Sequence, residues 1–172
     1  RAPDRSGPRD RRRPPATAPS PFLRYGYLEA LELSGSAVPE TGWVPLPVVV
    51  GDPAAPSGLA PAYVKSHSAG EYVFDHGWAN AYERAGGRYY PKLQVAVPFT
   101  PVPGPRLLAG DATGQRHLIQ ALAAAAEKLD VSSVHVTFCT AEEARLFEDA
   151  GWAVRHGVQY HWTDRGYGDF EG

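Results

Sequence analysis

The chain has one cysteine, Cys139, and no methionine among its 172 residues. A lone cysteine excludes an internal disulfide framework. No early stretch joins a basic start, an apolar run and a small-residue cleavage site, so a cytoplasmic compartment is the default expectation. No segment offers the roughly 20 uninterrupted apolar residues that a bilayer-crossing helix needs, because Pro, Gly or charge breaks every apolar run. The Gly-x-Ser-x-Gly elbow of one class of serine hydrolases is missing, so a serine nucleophile is not expected. Cys139 lacks a ligand-like partner spacing, and His156 and His161 fall on opposite sides of one alternating segment, so a metal site is not expected. The chain starts at Arg1, and this with the missing methionine reads as a piece of a longer protein.

What is present is enough chain for one domain of common size with a core of its own. Charge is unevenly spread. Residues 1–20 carry six arginines against Asp4 and Asp10, so the overall charge of -2 leaves the remainder net acidic. The Arg-rich arm is mixed with Pro, Ser and Thr and holds no aromatic residue for base stacking, and it reads as a disordered tail rather than a nucleic-acid arm.

From Ser20 the pattern becomes globular. Ser20 and Pro21 suit a helix start, with Leu23, Tyr27, Leu28 and Leu31 on one face and Gly35 at the end. The run 43–50, WVPLPVVV, reads as an edge strand because of its two prolines, and 51–61 as a Gly/Pro/Ala loop. Residues 62–66 read as a strand. Asp75 then suits the N-cap of a helix bearing Trp78, Ala81, Tyr82 and Ala85 at helical spacing. Residues 92–99 alternate, with Leu93, Val95, Val97 and Phe99 opposite Lys92, Gln94 and Ala96. A Pro/Gly loop over 100–114 leads to a helix of about 15 residues carrying Leu118, Ile119, Leu122, Ala125, Ala126 and Leu129 inward. Residues 133–139 alternate again, with Val134, Val136 and Phe138 opposite His135, Thr137 and Cys139. Thr140 and Glu143 form a capping box, and the helix after them ends at Gly151. Residues 152–163 alternate most clearly, with Trp152, Val154, Val158, Tyr160 and Trp162 among polar residues. The order is mixed α/β, with crossover helices that imply parallel strand neighbours late in the chain.

This order resembles the GNAT acyltransferase fold without its first strand. The wording YVKSHSAGEYVFDHGWANAYERAGGRYYPKLQVAVPFTPVPGPRLL over 63–108, and VHVTFCTAEEARLFEDAGWAVRHGVQYHWTDRGYGDF over 134–170, is similar to a bacterial Fem-like branch of that superfamily described as peptidoglycan biosynthesis/recognition. The resemblance implies a protein about twice this length, with a second acyltransferase-like half after Gly172. It also implies that strands 92–99 and 133–139 splay apart, so that the backbone around Val97 and Phe99 holds a thioester carbonyl. Such oxyanion donors are worth about 2.7–4 kcal/mol in acyl transfer. The loop 101–114, with Gly104, Arg106, Gly110 and Gly114, stands where acyl-CoA pyrophosphate would meet a helix N-terminus. The usual Gln/Arg-x-x-Gly-x-Gly/Ala pattern is absent, since Arg106 reaches Gly110 one residue late. The helix 141–150 holds Phe147 where many relatives place a thiolate-protonating Tyr, leaving Tyr160 as the substitute.

The residues themselves suggest a polar groove made of Lys92 and Gln94, His135 and Thr137, and Gln159 and His161 from three aligned strands. His135 and His161 are the base candidates, since imidazole suits proton abstraction from an amine near neutral pH. The segment KSHSAGEYVFDHGW gathers Lys65, His67, Ser68, Glu71, Asp75 and His76 between a strand and a helix, with Glu71 and His67 as further catalytic candidates and Asp75 as a cap. Two functions follow as expectations. One is N-acyl transfer from acyl-CoA or an aminoacyl-tRNA to an amine on a cell-wall precursor or another small molecule. The other is a noncatalytic half that recognises peptide or glycan. The net acidic globular part counts against a tRNA donor.

Overall fold

The computed structural model describes residues 20–163 and Gly166. The arginine-rich arm over 1–19, expected to be disordered, lies outside them.

Ser20 caps a single 3-10 turn, Pro21–Leu23, by accepting from the Phe22 amide, and helix α1 (Tyr25–Leu33) follows. Leu23 and Leu28 are buried and Leu31 is partly buried, so the expected helical face is the one that packs. The run 43–50 is not one strand. It divides at Leu46–Pro47 into β1 (Trp43–Pro45) and β2 (Val48–Asp52), which join different sheets. Both are edge strands; Pro45 in β1 suits an edge because a proline cannot donate to a ladder, and Pro47 lies in the break between them. The expected loop 51–61 is largely strand β3 (Ala55–Ala60), paired antiparallel with β2 through a tight turn at Pro53 and Ala54. Gly and Pro there mark the turn and a bulge between Val50 and Gly51 rather than an open loop.

Strand β4 (Ala62–Lys65) leaves β3 after Pro61 and enters the first sheet. That sheet runs β1-β4-β5-β7, with β5 at Lys92–Val95 and β7 at Val134–Val136. Its first two pairings are antiparallel, and β5 with β7 is parallel, in the register Gln94 opposite His135. The crossover between these parallel strands passes through β6 (Leu108–Ala109) and helix α3 (Ala112–Leu129). The second sheet runs β2-β3-β6. Leu93 and Val95 of β5 meet Leu118, Ile119 and Leu122 of α3, Val48 of β2 and Phe147 of α4 (Ala141–Asp149) in the main core. The Val97 side chain is buried in a second cluster with Leu23, Leu28, Leu59 and Leu108.

The described residues thus form a mixed α/β fold, two sheets flanked by four helices, consistent with a GNAT-like arrangement. Two elements depart from their sequence patterns. The face of α2 (His76–Arg84) formed by Trp78 and Tyr82 is exposed, at 67 % and 54 %, and the buried residue is Ala79. Residues 152–163 form no strand, and Val158, Tyr160 and Trp162 are 77–96 % exposed. Alternation gives a strand one apolar face, but the strand needs a partner edge to satisfy its backbone. The start of this segment packs on the core, where the Trp152 ring lies 5.0 Å from that of Phe147, and Gln159 further along donates to the Pro101 carbonyl.

Candidate functional site

Period-two alternation in β5 sends Leu93 and Val95 to the α3 side and Lys92 and Gln94 to the opposite side. Both polar side chains are fully buried there. Lys92 Nζ donates to Ser68 Oγ, Glu71 Oε2 and Asp75 Oδ2, each at 2.8 Å, which uses the three donors of an ammonium. Its acceptors come from the polar loop between β4 and α2. That loop has Gly70, Tyr72 and Phe74 in the left-handed region, and the repeated reversals accompany an inside-out sorting. Ser68, Glu71 and Asp75 are buried, while Tyr72 and Phe74 are 49 % and 77 % exposed. Left-handed backbone at such bulky residues costs of order 1–3 kcal/mol each and persists only where its surroundings dictate it.

The tyrosines before β5 complete the cluster. Tyr89 Oη donates to Asp75 Oδ2 at 2.8 Å, and Tyr90 Oη shares a hydrogen bond with Ser68 Oγ at 2.7 Å. Burial and hydrogen bonding to Asp75 push the Tyr89 phenol upward. Asp75 sits at the N-cap position of α2, yet its carboxylate caps nothing and serves Lys92 and Tyr89. Burial alone would raise its pKa, but the hydrogen bonds from Lys92 and Tyr89 prevail and hold it below the usual carboxylate range. Burial raises that of Glu71 despite Lys92. Glu71 Oε1, Asp75 Oδ1 and Gln94 Oε1 are buried without a hydrogen-bond partner among the described residues. A second buried cation, Lys65, donates to the Ala69 carbonyl at 3.1 Å and lies 3.6 Å over the Trp43 ring. Burial pushes it down to about 8.

His135, opposite Gln94 on β7, borders this cluster. Its Nδ1 is 3.9 Å from Asp75 Oδ2, its Nε2 is 3.0 Å from Ser133 Oγ, and its ring meets Tyr89 edge-on. The side chain is 27 % exposed, whereas those of Lys92, Glu71 and Asp75 are at most 4 % exposed. Burial and the Lys92 charge push the imidazole down to about 4, so it is neutral near pH 7.

The structure therefore joins Lys92, Glu71 and His135 and adds Asp75, Ser68, Tyr89, Tyr90 and Ser133 to them. It does not bring in the rest of the expected groove. Gln94 bonds Thr137 Oγ1 at 3.1 Å, buried beneath the sheet surface. Gln159 and His161 are exposed on the unpaired segment, where Gln159 donates to the Pro101 carbonyl at 3.0 Å and faces His161 at 3.3 Å. Tyr160 on that segment is 96 % exposed. His67 accepts from the Ala69 amide at 3.1 Å and lines an open cavity of about 400 Å³ with Leu31, Trp43 and Phe99. Of the residues missed by sequence reasoning, Ser133 had a signal. Period two in a strand puts it on the same side as His135.

Gly104, Arg106, Gly114 and the Phe99 amide, among the groups expected to hold acyl-CoA, have other partners. Past the Thr137 N to Val95 carbonyl bond, residues 102–106 lie against residues 137 and 138. Gly104 N donates to the Phe138 carbonyl and Arg106 Nε to the Thr137 carbonyl, both at 2.9 Å. The Arg106 guanidinium also binds the carbonyls of Val102, Gly104 and Pro105, and the residue is 1 % exposed. Glu143 Oε1 receives the amides of Arg106 and Leu107 at 2.7 and 2.6 Å, locking the same loop to α4. Phe99 N donates to the Gly70 carbonyl. At the start of α3, beside exposed Gly110, the Asp111 carboxylate accepts from Gly114 N at 2.7 Å. An anion already caps this helix, and Arg106, the cation within the loop, is spent on carbonyls. The residues present do not fit a pantetheine and pyrophosphate in this loop.

A mixed sheet with one parallel pair and a buried ion cluster at that pair's edge defines an α/β protein with a polar site beside β5 and β7. The chain matches the FemAB-like peptidoglycan biosynthesis/recognition family over residues 11–172 and belongs to that family. No curated protein and no solved structure matches it. Among the described residues, no helix is long and apolar enough to cross a membrane.

Proposed function

We propose that this chain transfers an acyl or aminoacyl group to an amine of a peptidoglycan precursor, with His135 taking the proton from the attacking nitrogen. The observation that carries this reading is His135 itself, a neutral, partly exposed imidazole at the edge of a buried cluster of Lys92, Glu71 and Asp75. With its pKa at about 4 the imidazole keeps its lone pair free near pH 7 but is a weaker base than an ordinary histidine, so its position at the edge of the cluster carries the role, and a positioned base contributes typically 10²- to 10⁴-fold. Glu71 Oε1 and Asp75 Oδ1 support it further. Buried lone pairs without donors are costly, and a donor-bearing group entering the site would satisfy them. The family description supplies the cell-wall context. Because the 101–114 loop does not fit acyl-CoA, the donor in this reading is an ester of the aminoacyl type.

The test is amide formation, followed by mass spectrometry, between an aminoacyl ester and a precursor carrying a free amine. Wild type is expected to form the amide and His135→Gln to form it at least about 100-fold more slowly. Equal rates would overturn the reading.

A second reading, recognition of peptide or glycan without chemistry, is favoured by the open cavity of about 400 Å³ walled by Leu31, Trp43, His67 and Phe99. Binding of a muropeptide that is lost in His67→Ala, with no amide formed under any donor, would establish it in place of the first.

A further inference from the structure

Ser133, His135 and Asp75 stand in the linkage order of a nucleophile, its base and the group that orients the base. Ser133 and His135 are two residues apart at β7, so extended backbone presents both side chains to one side. The Ser133 hydroxyl meets Nε2 at 3.0 Å, and Asp75 Oδ2 lies 3.9 Å from Nδ1 on the other side of the ring. An anion on the Nδ1 side favours the tautomer with its proton there, leaving Nε2 to accept from Ser133. Asp75 is in turn fixed by Lys92 Nζ and Tyr89 Oη, each at 2.8 Å. The 3.9 Å separation exceeds a formed hydrogen bond, but ligand-free sites often show such pairs long before substrate tightens them. Such constellations are recognised by geometry and role, on unrelated folds and without a shared sequence elbow.

Ser133 differs from its neighbour in a way that matters here. Ser132 Oγ donates its proton to the Tyr89 carbonyl and lies 3.4 Å from Ser133 Oγ, a longer contact than the 3.0 Å from Ser133 Oγ to His135 Nε2. Ser133 engages the imidazole and is partly exposed.

We infer that Ser133 is a nucleophile that carries the acyl group as a seryl ester, activated by His135 and positioned through Asp75. In the first half-reaction Ser133 Oγ bonds to the carbonyl carbon of the donor ester while its proton passes to His135 Nε2. The bond from that carbon to the donor's alcohol oxygen breaks, and the oxygen leaves with the proton from His135. In the second, the acceptor amine attacks the seryl ester and gives a proton to His135, which returns one to Ser133 Oγ as the Oγ–C bond breaks. Water in place of the amine would release the free acid, so the same site has a basal esterase activity. This inference rests on His135 being the base of the proposed transfer.

The test is reaction of the full chain with a fluorophosphonate probe, with the modified residue located by tandem mass spectrometry, beside release of p-nitrophenol from p-nitrophenyl acetate. The expected result is an adduct on Ser133, absent in Ser133→Ala and formed at least about 100-fold more slowly in His135→Ala, with a burst of p-nitrophenol in wild type. No adduct in wild type, or one on Ser132 instead, would overturn the inference. Amide formation separates this failure from that of the wider reading. Transfer kept in Ser133→Ala but lost in His135→Gln overturns the covalent route and leaves direct transfer standing. Transfer kept in both overturns both.

Discussion

Lys92 Nζ and Asp75 Oδ2 are 2.8 Å apart in the interior, although Asp75 occupies the N-cap position of α2, where its carboxylate would ordinarily take amides of the first turn. The carboxylate is withdrawn from the helix by the stronger, charge-assisted pairing. With Glu71 at the same ammonium, the loop between β4 and α2 is tied to β5 by charge rather than by apolar contact.

Removing the cation should therefore cost far more than removing an exposed one. Lys92→Met strands two buried carboxylates, and loss of one partner from a buried pair typically costs 3–5 kcal/mol. Urea unfolding of Lys92→Met is expected to show a loss of about that size, against less than about 1 kcal/mol for Arg88→Ala, whose pair with Asp130 is exposed.

Glu143 offers a contrast within one capping box. Thr140 Oγ1 accepts only the Glu143 amide, whereas Glu143 accepts the amides of Thr140, Arg106 and Leu107. Thr140→Ala should lose about 1 kcal/mol, the usual value of a cap. Glu143→Ala leaves two further buried amides without acceptors, at about 1–3 kcal/mol for each, and should also free the 102–106 loop, measured as faster amide exchange at Arg106 and Leu107.

His135 gives stability a defined pH dependence. Its pKa falls from 6.5 in the unfolded chain to about 4 in the fold. Between those values the unfolded chain binds the extra proton, so this residue makes stability rise with pH from about 4 to 6.5. Burial raises the Glu71 pKa and works the opposite way just above the usual carboxylate range, so the test is a difference. Thermal unfolding of wild type minus His135→Gln should rise across that window and be flat from pH 7 to 8.

Much of this was legible in the sequence because local signals and tertiary needs agreed. The Thr140–Glu143 box, Leu118, Ile119 and Leu122 of α3 and the Leu93/Val95 face of β5 pack as their spacing indicates, whereas Leu129, expected inward at the last turn of α3, is exposed because the helix outruns the core there. The failures have particular causes. Alternation at 152–163 specifies a strand face but not a partner edge, and the described residues provide none. Helical spacing at Trp78 and Tyr82 says that one face is apolar, not that something covers it. The prolines at 45 and 47 signalled edges correctly but not that the chain would change sheets between them. At the site, Lys92 and His135 were visible as the polar side of two strands. The burial of Lys92 was not, because it depends on carboxylates brought from 17 and 21 residues away in sequence by a left-handed loop. Arg106 looked like a phosphate ligand by position, and it binds carbonyls because the loop folds back on itself.

The role of His135 is tested most directly by one rate, amide formation from an aminoacyl ester by the His135→Ala variant with and without added imidazole. The expected result is a loss of about 10²- to 10⁴-fold in the variant and partial recovery when imidazole enters the vacated space beside Ser133. A variant that forms the amide as fast as wild type would contradict a proton-accepting role for His135.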